Sequence, residues 1–163
     1  MSLNLKKKFL VIIGFIIAMD QVTKLLIKSN LDLYEKVDII KGFFQLKYVT
    51  NSGAVWGIFS RTPHEFIPKI ITGLSIIALL IVIYYFLKIE ASCKTELVAL
   101  SFIMGGALGN NIDRIFQGFV VDFLEFYISK YHWPTFNVAD FFISSGVILL
   151  IIAFWRGKCP TFK

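Results

Sequence analysis

Four apolar blocks, at about 9–27, 66–87, 97–116 and 138–155, decide the solvent in which this chain can fold. Each approaches the ~20 residues that a helix needs to cross the hydrocarbon core of a bilayer. The third is apolar only to residue 112 and reaches that length by taking in Arg114, Ile115 and Phe116. Over 163 residues the chain is 56% hydrophobic and 17% charged, whereas soluble domains run near ~45–50% and ~25%. A water-soluble core of this size has no use for four such stretches. The expected fold is an α-helical membrane protein with four transmembrane helices, forming a single integral-membrane domain over 1–163.

Charge sets the expected orientation. Lys6-Lys7-Lys8 ahead of the first apolar run looks like the opening of a secretory signal peptide. No small-x-small cleavage site follows, and the run ends instead in Asp20-Gln21-Val22-Thr23-Lys24, so it reads as a retained anchor. An even number of spans puts both termini on one side. Lys6 to Lys8, Arg156, Lys158 and Lys163 place that side in the cytoplasm by the positive-inside tendency. The loop over 28–65 also carries basic residues, but Asp32, Glu35, Asp38 and Glu65 balance them. The net charge of +6 fits contact with anionic lipid equally well. Nothing points to nucleic acid, and a monomer is expected. Cys93 and Cys159 fall on the cytoplasmic side of this topology and are expected as reduced thiols without a disulfide. With only His64 and His132 as histidines and no cysteine cluster, neither a metal site nor a cofactor is expected.

Between the first two blocks, Phe44, Leu46 and Tyr48 alternate with Gln45, Lys47 and Val49, a period of two that predicts a strand. Asn51-Ser52-Gly53 is a turn signal, and 54–59 reads as a second short strand with Trp56 at its middle. Together they predict a small sheet over about 37–60, resting on the outer membrane surface. The aromatic stretch over 118–133, with Phe119, Phe123, Phe126 and Tyr127, is expected to lie along the interface as an aromatic belt.

The chemistry must come from the polar residues near the apolar blocks. Asp122 in Val120-Val121-Asp122-Phe123 and Asp140 in Phe136-Asn137-Val138-Ala139-Asp140 bracket the gap between the last two blocks. Carboxylates facing lipid cost roughly 2.5–3.5 kcal/mol at a helix centre, so a membrane protein rarely carries them idly. Two of them on facing segments, without metal ligands nearby, are what an aspartyl hydrolase needs to share one proton and one water. Asp20 and Lys24, four apart, share a helix face and suit an intrahelical ion pair. Gly105 and Gly109 suit close helix packing, after which Asn110, Asp113 and Arg114 emerge on one face, with Asp113 and Arg114 readable as an interhelical brace. Asn137 followed by Asp140 has the spacing of a capping box. By direction of travel, all of these residues meet near one rim.

These blocks occur in an order and spacing that resemble the bacterial lipoprotein signal peptidases (signal peptidase II). Asp20 to Lys24, Asn51-Ser52-Gly53-Ala54-Val55-Trp56-Gly57, Gly105 to Arg114, Val121-Asp122-Phe123 and Phe136 to Asp140 carry the likeness over nearly the whole chain. The resemblance implies a four-helix membrane aspartyl peptidase with a small extracytoplasmic β-cradle, here at about 37–60, that removes signal peptides from prolipoproteins, cutting before a cysteine that carries diacylglycerol. It implies Asp122 and Asp140 as the catalytic pair. Asp20, Lys24, Asn51, Gly105, Asn110, Arg114 and Asn137 fall at positions that support the site or hold substrate, and Asp113 lies among them. A small four-helix proton-coupled transporter, and a non-catalytic scaffold braced by its aspartates, are the rival readings.

Overall fold

The computed structural model describes residues 2–53, 66–157 and 159, with residues 2–5 and 66–67 described by their backbone alone. Three of the apolar blocks form helices long and apolar enough to cross a membrane: α1 (Ser2–Asn30), α2 (Phe66–Lys88) and α4 (Val138–Arg156). Their outward faces are apolar, with Leu10, Phe15, Leu74, Leu80, Ile148 and Phe154 all exposed. Lipid, unlike water, leaves such a face without penalty, and a helix satisfies its own backbone there.

The third block forms α3 (Lys94–Gln117), a helix of a different kind. It packs against α1, α2 and α4. It buries Glu96, Ser101, Asn110, Asn111 and Asp113 beside Leu97, Ala99 and Leu100. Its polar side chains are sheltered by protein, so its hydropathy need not match that of its neighbours.

Small residues set the spacing within the bundle. A Cβ added to Gly105 would lie 2.9 Å from the Ile16 side chain, and one on Gly109 would lie 2.6 Å from the Asp20 carboxylate. α1 therefore runs parallel to α3 at close range, as the Gly105/Gly109 spacing predicts. Gly106 meets Ala139 and Ile143, whereas Gly146 meets Ala99 and Ile103, so α4 runs antiparallel to α3. At the end where α1 begins and α4 stops, Lys6 Nζ donates to the carbonyls of Phe86 and Leu87 at the close of α2, at 3.1 and 2.8 Å.

At the opposite end lies an antiparallel sheet, ordered β1 (Lys36–Ile40), β2 (Phe44–Asn51), β3 (Val120–Ile128) and β4 (Tyr131–His132). The strand predicted from the Phe44 alternation is β2. Its buried residue, however, is Gln45, and Phe44 is only half-buried. Gln45 turns toward Glu125 of β3, and the apolar side chains of β1 and its turn (Val37, Ile39, Ile40 and Phe43) are exposed. The aromatic stretch over 118–133 is largely β3, which pairs with β2 from Phe44↔Phe126 to Asn51↔Val120. The strand expected over 54–59, with Trp56, lies outside the described residues.

The cysteines also depart from expectation. α4 ends at Gly157, which adopts a left-handed φ of 58° as C-cap. The chain then places Cys159 against Cys93, the N-cap of α3, with their Cα atoms 5.6 Å apart, and the two form a disulfide. That separation is the usual one for a bridged pair. Topology alone, read as placing both thiols in a reducing compartment, did not anticipate how closely the fold brings them together.

Candidate active site

Two turns of backbone deliver the central carboxylates. Gly118, left-handed with φ 79°, stops α3 and donates its N–H to the Arg114 carbonyl at 3.1 Å. The chain enters β3 two residues later, which brings Asp122 beside β2. There Leu46 pairs with Leu124 and Val49 with Asp122, so Lys47 and Tyr48 oppose Phe123 alone. This bulge next to Asp122 is a common device for re-aiming a side chain. On the other side of β3, the Phe123 and Leu124 N–H groups donate to the Phe136 carbonyl at 3.0 and 2.8 Å, and Phe136 N–H returns to the Leu124 carbonyl at 3.0 Å. The very next residue, Asn137, is the N-cap of α4. Asp122 and Asp140 are thus held across one short backbone clamp.

The capping box read from the sequence is present. Asn137 Oδ1 accepts from Asp140 N–H at 2.9 Å, and Asp140 Oδ2 accepts from Asn137 N–H at 3.3 Å. The Asn137 amide group donates to Asp122 Oδ1 at 2.7 Å, so one residue joins the two carboxylates, through its side chain to Asp122 and its backbone N–H to Asp140. Asn51 donates to Asp122 Oδ2 at 2.9 Å, and Asn110 donates to Asp140 Oδ1 at 2.8 Å. Every one of these partners is neutral.

Behind this layer sits a buried charged one. Lys24 Nζ lies 2.7 Å from Asp20 Oδ2, 2.9 Å from Asp113 Oδ2 and 2.9 Å from Asn110 Oδ1. Asp20 Oδ1 also accepts from Ala139 N–H at 2.9 Å, in the first turn of α4. One cation and two carboxylates, all nearly inaccessible, therefore lock α1, α3 and α4 in a single arrangement and fix the orientation of Asn110. Removing one member would strand a buried charge, typically at 3–5 kcal/mol.

The expected Asp20–Lys24 pair is present, and of the two residues expected as an interhelical brace Asp113 supplies one, across to α1. Asp113 turns to Lys24, and Arg114, the next residue along the helix, lines the cavity with both central aspartates. That cavity holds about 350 Å³ and exposes Asn51, Asn110, Arg114, Asp122 and Asp140 below a rim that includes Trp133 and Phe141. Asp122 is 2% exposed, and its carboxyl is pushed up to about 7, first by burial and then by the charge of Asp140. The hydrogen bonds from Asn51 and Asn137 oppose the shift without cancelling it. The site can therefore hold one proton on Asp122 near neutrality and admit a polar group between the carboxyls.

Of the residues singled out in the sequence, Asn51, Asn110, Arg114, Asp122 and Asp140 line this cavity. Asn137 is completely buried beneath them, with Asp20, Lys24 and Asp113 behind. Gly105 stands apart as a packing position against Ile16. Sequence reasoning passed over Gln21, whose amide group donates to the Gly109 carbonyl and to Asp113 Oδ1, each at 3.1 Å. Its place beside Asp20 was the available signal. It also passed over Glu125, a buried carboxylate gathered by Gln45, Lys47 and His132. Burial alone would raise Glu125, but hydrogen bonds from those three partners hold it below the usual carboxylate range. This cluster ties β4 and the bulged segment of β2 to the strand that carries Asp122.

A bundle with three membrane-length helices among the described residues and two sheltered carboxyls around a cavity at one end defines a helical membrane protein with an enzyme-like polar site. The sequence profile of the family described as Signal peptidase (SPase) II matches residues 12–156, and the chain belongs to that family. It is 38% identical to the lipoprotein signal peptidase of Syntrophus aciditrophicus over 144 residues, covering 88% of this chain and 89% of that one. Identity to the lipoprotein signal peptidase of Francisella tularensis subsp. novicida is 40% over 148 residues, covering 91% of each. A bacterial membrane enzyme solved by the in meso method at 2.3 Å resolution superimposes with a TM-score of 0.81 at 35% identity, covering 92% of this chain and 88% of that one. A second such structure, at 1.9 Å resolution, gives a TM-score of 0.78 at 35% identity, covering 91% and 92%. The transporter reading finds no support among these relatives.

Proposed function

We propose that this chain removes signal peptides from prolipoproteins as a membrane aspartyl endopeptidase, cutting before a diacylglyceryl-modified cysteine, with Asp122 and Asp140 as the catalytic pair. Family membership supports the peptidase activity and the substrate class. The observation that carries the aspartyl assignment is the sharing of one cavity and one bridging residue, Asn137, by the buried Asp122 and the half-buried Asp140.

Asp140 stands in the first turn of α4, where its carboxylate accepts from the Asn110 amide and from the Asn137 N–H. It takes a proton from the attacking water. Asp122, protonated below about pH 7, donates to the carbonyl oxygen or the leaving amine. Arg114, facing both carboxyls from the cavity wall, is placed to hold the substrate backbone or the developing oxyanion. The charged layer of Asp20, Lys24 and Asp113 acts through Asn110 and the start of α4, as a support for the dyad. Asn51 fixes Asp122, and Gly105 lets α1 close on α3.

In the membrane, α3 is read as a fourth span, sheltered by the other three within one integral domain over 1–163. Lys6, Lys88, Lys94 and Arg156 gather at the end remote from the carboxyls. The positive-inside tendency makes that end cytoplasmic, with both termini, and opens the cavity at the outer face of the bacterial cell membrane. The chain acts as a monomer among membrane lipids. The substrate's acyl chains supply the anchor that holds the scissile bond at this depth, at about 0.8 kcal/mol per buried CH₂. Comparing lipidated and unlipidated precursor at matched concentration in the same micelles tests this. Rapid cleavage of the lipidated form alone is expected, and equal rates would overturn this account of recognition.

A further inference from the structure

At the end of the bundle away from the peptidase cavity, a second group of side chains has the composition of a metal site. Cys93 and Glu96, three apart at the start of α3, face the same way, and Cys159 reaches them from the tail. All three are buried, at 6%, 5% and 5% exposure. The two sulfurs and a Glu96 carboxylate oxygen lie within 4.8 Å of one another. They line a cavity of about 220 Å³ that also exposes Ser92, Lys94 and Arg156. Asn110 lies seventeen residues further along α3 than Cys93, which at 1.5 Å per residue puts the peptidase site about 25 Å away.

We propose that, once the disulfide is reduced, Cys93, Cys159 and Glu96 bind one thiophilic divalent cation of the zinc class. The metal then replaces the S–S bond in holding the tail to α3. Two thiolates and one carboxylate are a donor set that a borderline-soft cation accepts, leaving a fourth position for water from the cavity. The charges agree as well. Two thiolates and a carboxylate around a divalent ion leave one net negative charge, which faces Lys94, Arg156 and the N-terminus of α3. Reduction takes two electrons and two protons from a dithiol reductant, which itself becomes a disulfide. The cation then displaces both thiol protons into solvent. The topology proposed above gives this end to a reducing compartment. Because the cysteines stand 66 residues apart, no short cysteine motif announces the site.

The test uses the full chain in detergent, reduced with a phosphine that is then removed without air. Zinc is titrated in competition with a chromophoric chelator, and cadmium is followed by its thiolate charge-transfer band in the ultraviolet. One equivalent per chain is expected for reduced protein and none for oxidised protein. Glu96→Gln, which keeps both thiols, should weaken zinc binding by at least about 10–100-fold. The Cys93→Ser, Cys159→Ser double variant should abolish it while retaining helical circular dichroism and cleavage activity. Reduced protein that binds no stoichiometric zinc, or that binds equally well in either variant, overturns the proposal.

Discussion

Replacing Asp122 with asparagine should abolish cleavage and, at neutral pH, make the protein harder to unfold. The carboxyl stands at about 7 in the folded state against its ordinary 3.8. A raised folded pKa means that folding disfavours the ionised form. The penalty is absent below about pH 4, grows as pH rises toward 7, and levels off above it, reaching about 4 kcal/mol at roughly 1.4 kcal/mol per unit. Asparagine has no charge to bury. It does meet two amide donors, Asn51 and Asn137, and its own amide group can satisfy only one of them as acceptor. That mismatch costs about 1–3 kcal/mol. The net gain is therefore about 1–3 kcal/mol at pH 8, falling to zero or reversing near pH 4.5. Melting temperatures of both proteins in the same micelles, from pH 4.5 to 8.5, measure it. An Asp122→Asn protein that melts below wild type at every pH, or a gap that does not widen with pH, refutes the reasoning.

Two further substitutions probe the packing around the site. Gly109→Ala pushes a methyl group against the Asp20 carboxylate and should lower stability by about 1–3 kcal/mol together with activity, whereas Gly14→Ala, with nothing within 4 Å, should leave both intact in the same melting and cleavage assays. Asn111 is 3% exposed and neither its amide nitrogen nor its oxygen finds a partner among the described residues, so Asn111→Leu should raise the melting temperature, with a gain of about 1–3 kcal/mol in stability, and a lower one would show that the amide is satisfied.

Much of the helical part was legible because hydropathy blocks of span length have few alternatives. The β part was only half legible. β2 alternates and was recognised, but β3 reads Val120-Val121-Asp122-Phe123-Leu124, apolar on both faces, and carries no period of two. Its register came from Phe136 and from a bulge in β2, neither visible in composition. The candidate site was legible residue by residue, since a buried acid in an apolar segment demands a reason. Its pairing was less so. Asp113 and Arg114 are neighbours in sequence, and the helix turns one toward Lys24 and the other toward the cavity. The Cys93–Cys159 contact depends on where a tail folds after α4, which no local pattern encodes.

Cleavage of a diacylglyceryl-modified prolipoprotein by the purified chain, measured beside Asp122→Asn, Asp140→Asn and the double variant in the same micelles, tests the dyad most directly. Because the two carboxyls act as one unit, each single variant should lose turnover while staying folded, and the double variant should be no worse than either. Substantial cleavage by either single variant would remove that residue from the catalytic pair.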